Sequence, residues 1–403
     1  MNILFVHQNF PAQYLHLAPH LARAGHRVVA ISNREGVAMA GIEILNYVLP
    51  ARRAPGTHRY LPRTEEAVIR GECVAALSLQ LAASGFRPDI VCAHPGWGEA
   101  LYLDDVWKGV PQLHYCEFYF APFRGASQFR PRLPVSVDSI FETRLRNAVF
   151  LLSLEVCHAG VSPTWWQWSQ YPSPHRPRIA VVHDGINVTM VRPDPAAVLS
   201  LPDGRQLARG APIVTYVSRN LEPIRGFPEF MRAAALLLER RPETEIVIVG
   251  GDEVSYGATL PDGDTWRQRM LREVLIDARR VHFLGKIPYT DYLKLLQVSA
   301  AHVYLTAPFV LSWSLVEAMA AGCLVVASDT EPVRELLTDG KNGLLVDFFD
   351  RDALVRRIEE ALDGGPAFDA LREAARRTVC ESYSLAHCLP RQTSLVERVA
   401  RMR

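Results

Sequence analysis

No run of about 18 consecutive apolar residues occurs anywhere in this chain, so no transmembrane helix is expected. The first residues, Met1 to His7, carry neither a basic region nor a long apolar core, and no signal peptide is read there. Net charge is nearly absent: 44 Lys and Arg against 43 Asp and Glu give +1 at pH 7. That balance offers no bulk attraction for nucleic acid, and no nucleic-acid partner is expected. Lysine is scarce beside arginine, a bias of the source genome. The seven cysteines are odd in number and scattered, without a CxxC pair. They read as core thiols in a reduced, cytoplasmic chain, and no disulfide framework is expected. No GxGxxG follows the first strand, which argues against a dinucleotide oxidoreductase. No His/Cys cluster has metal-ligand spacing and no Asp-x-Asp triplet is counted, so no metal site is expected.

One stretch stands out, Thr306 to Asp329. The β-branched and aromatic run His302 to Leu305 suits a strand, and Pro308 stops regular pairing. From Ser314 the apolar positions Leu315, Ala318 and Met319 share one helical face. Ser312 can act as N-cap and Gly322 as helix end, and Cys323 to Ala327 forms the next strand. The result is a βαβ unit. Its helix N-terminus presents unpaired N–H groups that favour an anion. Glu317, about one turn inside, is a carboxylate able to read paired hydroxyls such as those of a ribose. The plainer alternative is a βαβ unit whose Glu317 is a surface helix residue.

Alternation of β and α runs through both halves. The first half has expected strands at 2–6, 27–31, 43–47, 88–94, 112–116, 159–163 and 179–183. Its helices include one near Tyr14–Ala22, where Pro19 sits awkwardly, and a long one near 65–84. The loop His94 to Glu99 leaves a strand C-terminus, the ligand edge of an open α/β sheet. After the turn at Asp184–Asn187, a Pro/Gly-rich connection from Arg192 to Gly210 marks a domain boundary near residue 200. The second half starts afresh with strands near 212–217, 244–251, 281–285, 302–305, 323–327 and 340–346. Helix runs from Arg351 to the end. The expected fold is α/β: two doubly wound Rossmann-like domains, 1–200 and 201–384, facing each other across a cleft.

Ser218-Arg219 with Arg225-Gly226, then Val249-Gly250-Gly251, Phe283-Leu284-Gly285 and Glu317 to Gly322, stand in one order across roughly 212–350. Glu331-Pro332-Val333 and Gly340 to Val346 complete the pattern. By these motifs the chain resembles the family 4 glycosyltransferases of the GT-B fold. The N-terminal half matches more loosely, through Gly25-His26 and Asp184-Gly185-Ile186-Asn187. The resemblance implies that the final helix, about 385–403, packs back on the first domain. It also implies retaining sugar transfer from a nucleotide-diphosphate sugar to an acceptor hydroxyl, without metal or other cofactor. The partners would be the nucleotide sugar and a carbohydrate, lipid-linked or small-molecule acceptor.

By the same resemblance, Arg219 and Arg225 would hold the donor diphosphate, with Val310, Leu311 and Ser312 beside them. Arg225 stands where relatives carry Lys and can grip two oxygens at once. The alternative is that both are solvated loop arginines. Glu317, Gly250, Gly251, Lys286 and Ile287 would face the nucleoside. Two departures stand out. The family's Glu-x7-Glu motif keeps Glu317 but has Phe309 in place of its first carboxylate. The N-terminal glycine pair is replaced by Gln8 to Ala12. Glu117 stands where many relatives have His, and it could orient an acceptor hydroxyl or serve as its base; His94 is the other catalytic candidate. The aromatic loop Phe118 to Phe123 with Arg124, Arg130 and Arg132 could touch a lipid-linked acceptor at the inner membrane face, or be ordinary core and rim. A nucleotide-sugar epimerase or hydrolase, and a non-catalytic sugar-nucleotide-binding relative, stay open.

Overall fold

The computed structural model describes residues 1–402 apart from 51–55, 123, 124, 126–128, 130–135 and 258, and it does not describe the side chain of Asp262. Phe123 of the aromatic loop and Arg124, Arg130 and Arg132 therefore lie outside the described residues. The chain divides into two units, Met1–Gly185 with Leu385–Arg403, and Ile186–Ser384. No helix among the described residues is long and apolar enough to cross a membrane.

The first unit holds a seven-stranded parallel sheet of β1 (Asn2–Val6), β2 (Arg27–Ser32), β3 (Ile42–Asn46), β4 (Ile90–Ala93), β5 (Gln112–Tyr115), β6 (Ala159–Ser162) and β7 (Ile179–Val181). Its order is β3-β2-β1-β4-β5-β6-β7. Central strands are apolar on both faces because helices cover both: Ile3 and Phe5 of β1 pack in one core, Leu4 and Val6 in the other. The strand order reverses between β1 and β4, paired from Ile3↔Ile90 to Val6↔Ala93. Their C-terminal ends therefore open side by side at the switch point, where such folds bind ligands. His7 and His94 are the residues that leave those two ends.

The second unit repeats the plan. Its six-stranded parallel sheet runs β12-β11-β10-β13-β14-β15, with β10 (Ile213–Asn220), β11 (Glu245–Gly251), β12 (Val281–Gly285), β13 (Ala301–Tyr304), β14 (Val325–Ser328) and β15 (Leu344–Val346). Here the switch lies between β10 and β13, so the segments after Asn220 and after Tyr304 share one edge. The helix Trp313–Ala320 follows β13, capped by Ser312, whose Oγ accepts from the Ser314 amide at 3.2 Å. Gly322 leaves the helix at φ +81°, a left-handed value natural only to glycine.

Four expectations change. The division falls at Gly185, not near 200. The connection read as irregular contains an antiparallel hairpin, β8 (Val198–Ser200) with β9 (Gln206–Ala208). Leu199, Leu201 and Leu207 of that hairpin bury against Ile213 and Val247, and Val191 buries with Leu315, so 186–211 packs with the second unit. Pro19 does not break the first helix, Leu17–Arg23, because it sits in the opening turn, where an N–H has no partner within the helix. The helical end of the chain is three helices, Arg351–Asp363, Pro366–Ser382 and Leu385–Ala400. Gly364-Gly365-Pro366 separates the first two, with both glycines at positive φ.

Candidate active site

In the second unit, the switch-point edge gathers around Arg225. The chain leaves β10, makes a short turn at Pro223–Arg225 and enters the helix Phe227–Arg240 through Gly226 at φ +70°. A Cβ on Gly226 would collide with the Cβ of Leu305, so glycine is needed for both conformation and space. Arg225 is only 8% exposed. Its Nη1 donates to Thr306 Oγ1 at 2.8 Å and to the Val310 carbonyl at 3.1 Å. The rings of Tyr256 and Phe309 flank the guanidinium, with centroids 5.6 and 5.7 Å from its carbon. Among the described residues no carboxylate lies within ion-pair distance of it. A guanidinium has five N–H donors and cannot shed its proton in a protein, so this is a buried cation with donor capacity left.

The loop that Arg225 holds is the one expected to face a diphosphate. The Ser312 amide donates to Tyr304 Oη at 3.0 Å, which takes it out of the set of free donors. Among the described residues, the amides of Val310 and Leu311 meet no protein acceptor. Arg219 is exposed at the end of β10, and its side chain has no partner among the described residues. Phe309 is buried edge-on against Tyr256, ring centroids 5.0 Å apart.

Glu317 is held by two phenols. Tyr289 Oη donates to Oε1 at 2.6 Å and Tyr292 Oη to Oε2 at 2.8 Å. Burial raises the Glu317 pKa, and the two phenol bonds oppose that rise. A carboxylate offers about four lone-pair sites, so two remain for a ligand. Gly250 and Gly251 end β11, where a side chain on Gly250 would meet Leu221 and the Ser218 carbonyl, and one on Gly251 would meet Asn220 and Lys286. Gly250 thus has a packing reason independent of any nucleoside, whereas at Gly251 the neighbours are side-chain ends that can move aside. Lys286 donates to Glu253 at 2.8 Å in an exposed pair. Ile287 packs partly into the core.

In the first unit, Glu117 and His94 come together: His94 Nε2 lies 3.5 Å from Glu117 Oε2. The Gly96 amide donates to His94 Nδ1 at 3.1 Å. In the neutral ring the proton is then on Nε2, which faces Glu117 without forming a hydrogen bond to it. His7 and His183 repeat the device, accepting at Nδ1 from the amides of Asn9 and Gly185. Burial pushes the His183 pKa down to about 4. The His94 ring is sandwiched between Trp97 and Tyr115 at 4.5 and 5.5 Å. Glu117 Oε1 accepts from Gln13 Nε2 at 2.9 Å.

The sequence does hold two Asp-x-Asp triplets, at Asp262 to Asp264 and Asp350 to Asp352. Asp264 pairs with Arg272, Asp350 caps a helix through the Ala353 amide at 2.8 Å, and Asp352 faces Arg240 and Arg351. No group of three His, Cys, Asp or Glu among the described residues could hold a metal.

Sequence reasoning missed Gln13, Glu222, Tyr256, Tyr289 and Tyr292. Tyr289 and Tyr292 are spaced to share a helix face, a readable signal. Tyr256 carries none: it reaches Arg225 because Glu222 Oε1 accepts the amides of Ser255, Tyr256 and Gly257 at 3.0–3.1 Å, a contact set by tertiary structure.

Residues 24–191 match the family described as Glycosyl transferase family 4 group, and residues 203–378 match Glycosyl transferases group 1. A D-inositol 3-phosphate glycosyltransferase of Streptomyces avermitilis is 31% identical over 228 residues, 52% of this chain and 45% of that protein. The chain therefore spans about half the length of this curated relative. Among solved structures, sucrose-phosphate synthase from Thermosynechococcus elongatus superposes with a TM-score of 0.73 at 18% identity, covering 100% of both chains. Anabaena HepE in complex with UDP-glucose superposes at 0.71 and 14% identity, covering 99% of this chain and 100% of that one. These likenesses establish two parallel-sheet α/β domains of the GT-B type.

Proposed function

This chain belongs to the family 4 glycosyltransferases, and on that premise we propose that it moves a sugar from a nucleotide-diphosphate sugar to an acceptor hydroxyl. The configuration at the anomeric carbon is retained and no bound metal takes part. The observation that carries the reading is Arg225: a buried cation without a carboxylate partner among the described residues, hydrogen-bonded to a loop with two free amides. Burying a charge is costly unless it is paired, and a diphosphate would supply the pair. The structure of HepE with UDP-glucose agrees with a nucleotide sugar as donor.

In this reading Arg225 and the amides of Val310 and Leu311 take the diphosphate oxygens, and exposed Arg219 closes on them. The leaving diphosphate gains charge as the glycosidic bond breaks, and fixed donors favour that state over the ground state. Glu317 accepts from the ribose diol. The first unit supplies the acceptor side: Glu117, held by Gln13 with His94 beside it, orients the acceptor hydroxyl or takes its proton. The incoming oxygen approaches on the face the diphosphate leaves, which accounts for retention without a covalent intermediate. The acceptor is a carbohydrate, a lipid-linked molecule or a small molecule.

The test is incubation with a panel of UDP-, GDP- and dTDP-sugars, with and without candidate acceptors, and with and without EDTA. Acceptor-dependent release of nucleoside diphosphate, unchanged by EDTA, is expected. Activity lost on chelation and restored by Mn²⁺ removes the metal-free mechanism. Conversion of the donor without an acceptor points instead to an epimerase or hydrolase. Binding without turnover points to a non-catalytic relative.

A further inference from the structure

The segment that follows β11 brings Tyr256 to Arg225, and a buried carboxylate holds its backbone. Glu222 is 2% exposed, and its Oε1 accepts the amides of Ser255, Tyr256 and Gly257 at 3.1, 3.0 and 3.0 Å. Its Oε2 is buried and makes no hydrogen bond. Among the described residues no cation lies within ion-pair distance of Glu222. Bonds from N–H groups to an ionised carboxylate are stronger than neutral ones, and without them this charge would be buried unpaired. The three amides are therefore held where the carboxylate is. A second tie starts at the end of β10, where Asn220 Nδ2 donates to Ser255 Oγ at 2.7 Å. Tyr256 itself is 37% exposed, so core packing alone does not fix its ring. The ring nevertheless stands 5.6 Å from the Arg225 guanidinium carbon and edge-on to Phe309.

We propose that Glu222 is a positioning residue for the diphosphate site: by tying down residues 255–257 it keeps the Tyr256 ring against Arg225 and water away from the guanidinium. A cation within about 6 Å of an aromatic face is attracted to it, more strongly where water is excluded. A poorly solvated charge also attracts its opposite more strongly than a hydrated one does. With the ring displaced, water hydrates the free guanidinium, and an incoming diphosphate has to strip that water again. Diphosphate affinity then falls, whereas a nucleoside has no phosphate to meet Arg225 and binds as before. The inference rests on the proposed reading of Arg225 as a diphosphate ligand.

The tie is read first on the full wild-type chain, without nucleotide, by amide hydrogen exchange. Residues 255–257 exchange more slowly than in a free peptide of the same sequence. Glu222→Gln keeps the shape and an acceptor oxygen but not the charge. It speeds exchange at 255–257 and leaves β10 and β11 unchanged. Isothermal titration then compares wild type, Glu222→Gln and Tyr256→Leu with UDP, GDP and dTDP and with the matching nucleosides. Each variant binds the diphosphate about three- to thirtyfold more weakly and the nucleoside as wild type does. The double variant loses no more than the more affected single variant, because both changes remove the same ring contact. Wild-type exchange at 255–257 as fast as in the free peptide overturns the tie, and this measurement needs no variant to fold. Unchanged diphosphate affinity in Tyr256→Leu, equal losses for diphosphate and nucleoside, or losses that add in the double variant overturn the positioning role. If Arg225→Ala leaves diphosphate affinity unchanged, the reading of Arg225 falls and the role of Glu222 at that site falls with it, while the exchange result still stands for the segment.

Discussion

Glu317 accepts from two phenols and has lone pairs left for a ribose diol. Each bond from a hydroxyl to this charged group is worth roughly 1.5–3 kcal/mol. Glu317→Gln removes the charge and brings in an NH₂ where only an acceptor is wanted. A 2′,3′-dideoxy nucleotide cuts the same contact from the other side. The two cuts are expected not to add: the dideoxy ligand binds wild type much more weakly than the normal ligand, yet binds Glu317→Gln nearly as well as the normal ligand does. Titrations in which the losses add would place Glu317 away from the ribose. A pH dependence goes with it. Burial holds the Glu317 pKa above its ordinary 4.5, so the carboxylate is the strained form in the free protein. Its proton contributes stability that is fully present below 4.5 and lost as pH rises through the raised value. Nucleotide binding has the opposite slope, because diol donors favour the carboxylate. Affinity is expected to fall as pH drops through that window in wild type, and to fall less in Glu317→Gln, where only the phosphate titrates. Parallel pH profiles for the two proteins would contradict this. Glu317 itself was legible in the sequence from its place in the helical pattern. Its phenol partners belong to another helix, Tyr289–Val298, and nothing local to Glu317 announces them.

The turn from β10 into the helix Phe227–Arg240 sets where Arg225 points. Gly226 carries it, at φ +70° and against Leu305. Gly226→Ala adds a left-handed penalty of roughly 1–2 kcal/mol and a steric one of roughly 1–3 kcal/mol. Urea unfolding is expected to show a loss of about 2 kcal/mol or more; a loss under about 0.5 kcal/mol would mean the turn relaxes freely. At this scale most of the sheet strands were legible, because buried parallel strands are continuous apolar runs. The helix at Trp313–Ala320 was legible from Ser312 and Gly322, its two ends. The hairpin β8–β9 was not: its strands are three residues each, and their burial against Ile213 and Val247 is a long-range fact. The break at Gly364-Gly365-Pro366 was present in the sequence as a turn signal. The reading of one continuous helix passed over it.

On the scale of the whole chain, two units each repeat a switch-point sheet, and each places its candidate residues at strand C-termini. That much follows from alternating β and α segments with glycine-rich loops at the ligand edge. The unit boundary did not follow, because composition marks where a connection is polar and says nothing of which core its few leucines enter. The electrostatics of the site were legible only in part. Arg219 and Arg225 were both expected as diphosphate ligands, yet one is exposed with no partner among the described residues while the other is buried between aromatic rings. The central claim is that this buried guanidinium waits for a diphosphate. It is tested most directly by isothermal titration of wild type and Arg225→Ala with UDP, GDP and dTDP and with the matching nucleosides. Arg225→Ala is expected to lose roughly 1.5–3 kcal/mol of diphosphate affinity and to bind the nucleoside as wild type does. Unchanged affinity for the diphosphate, in a variant that remains folded, would contradict the account.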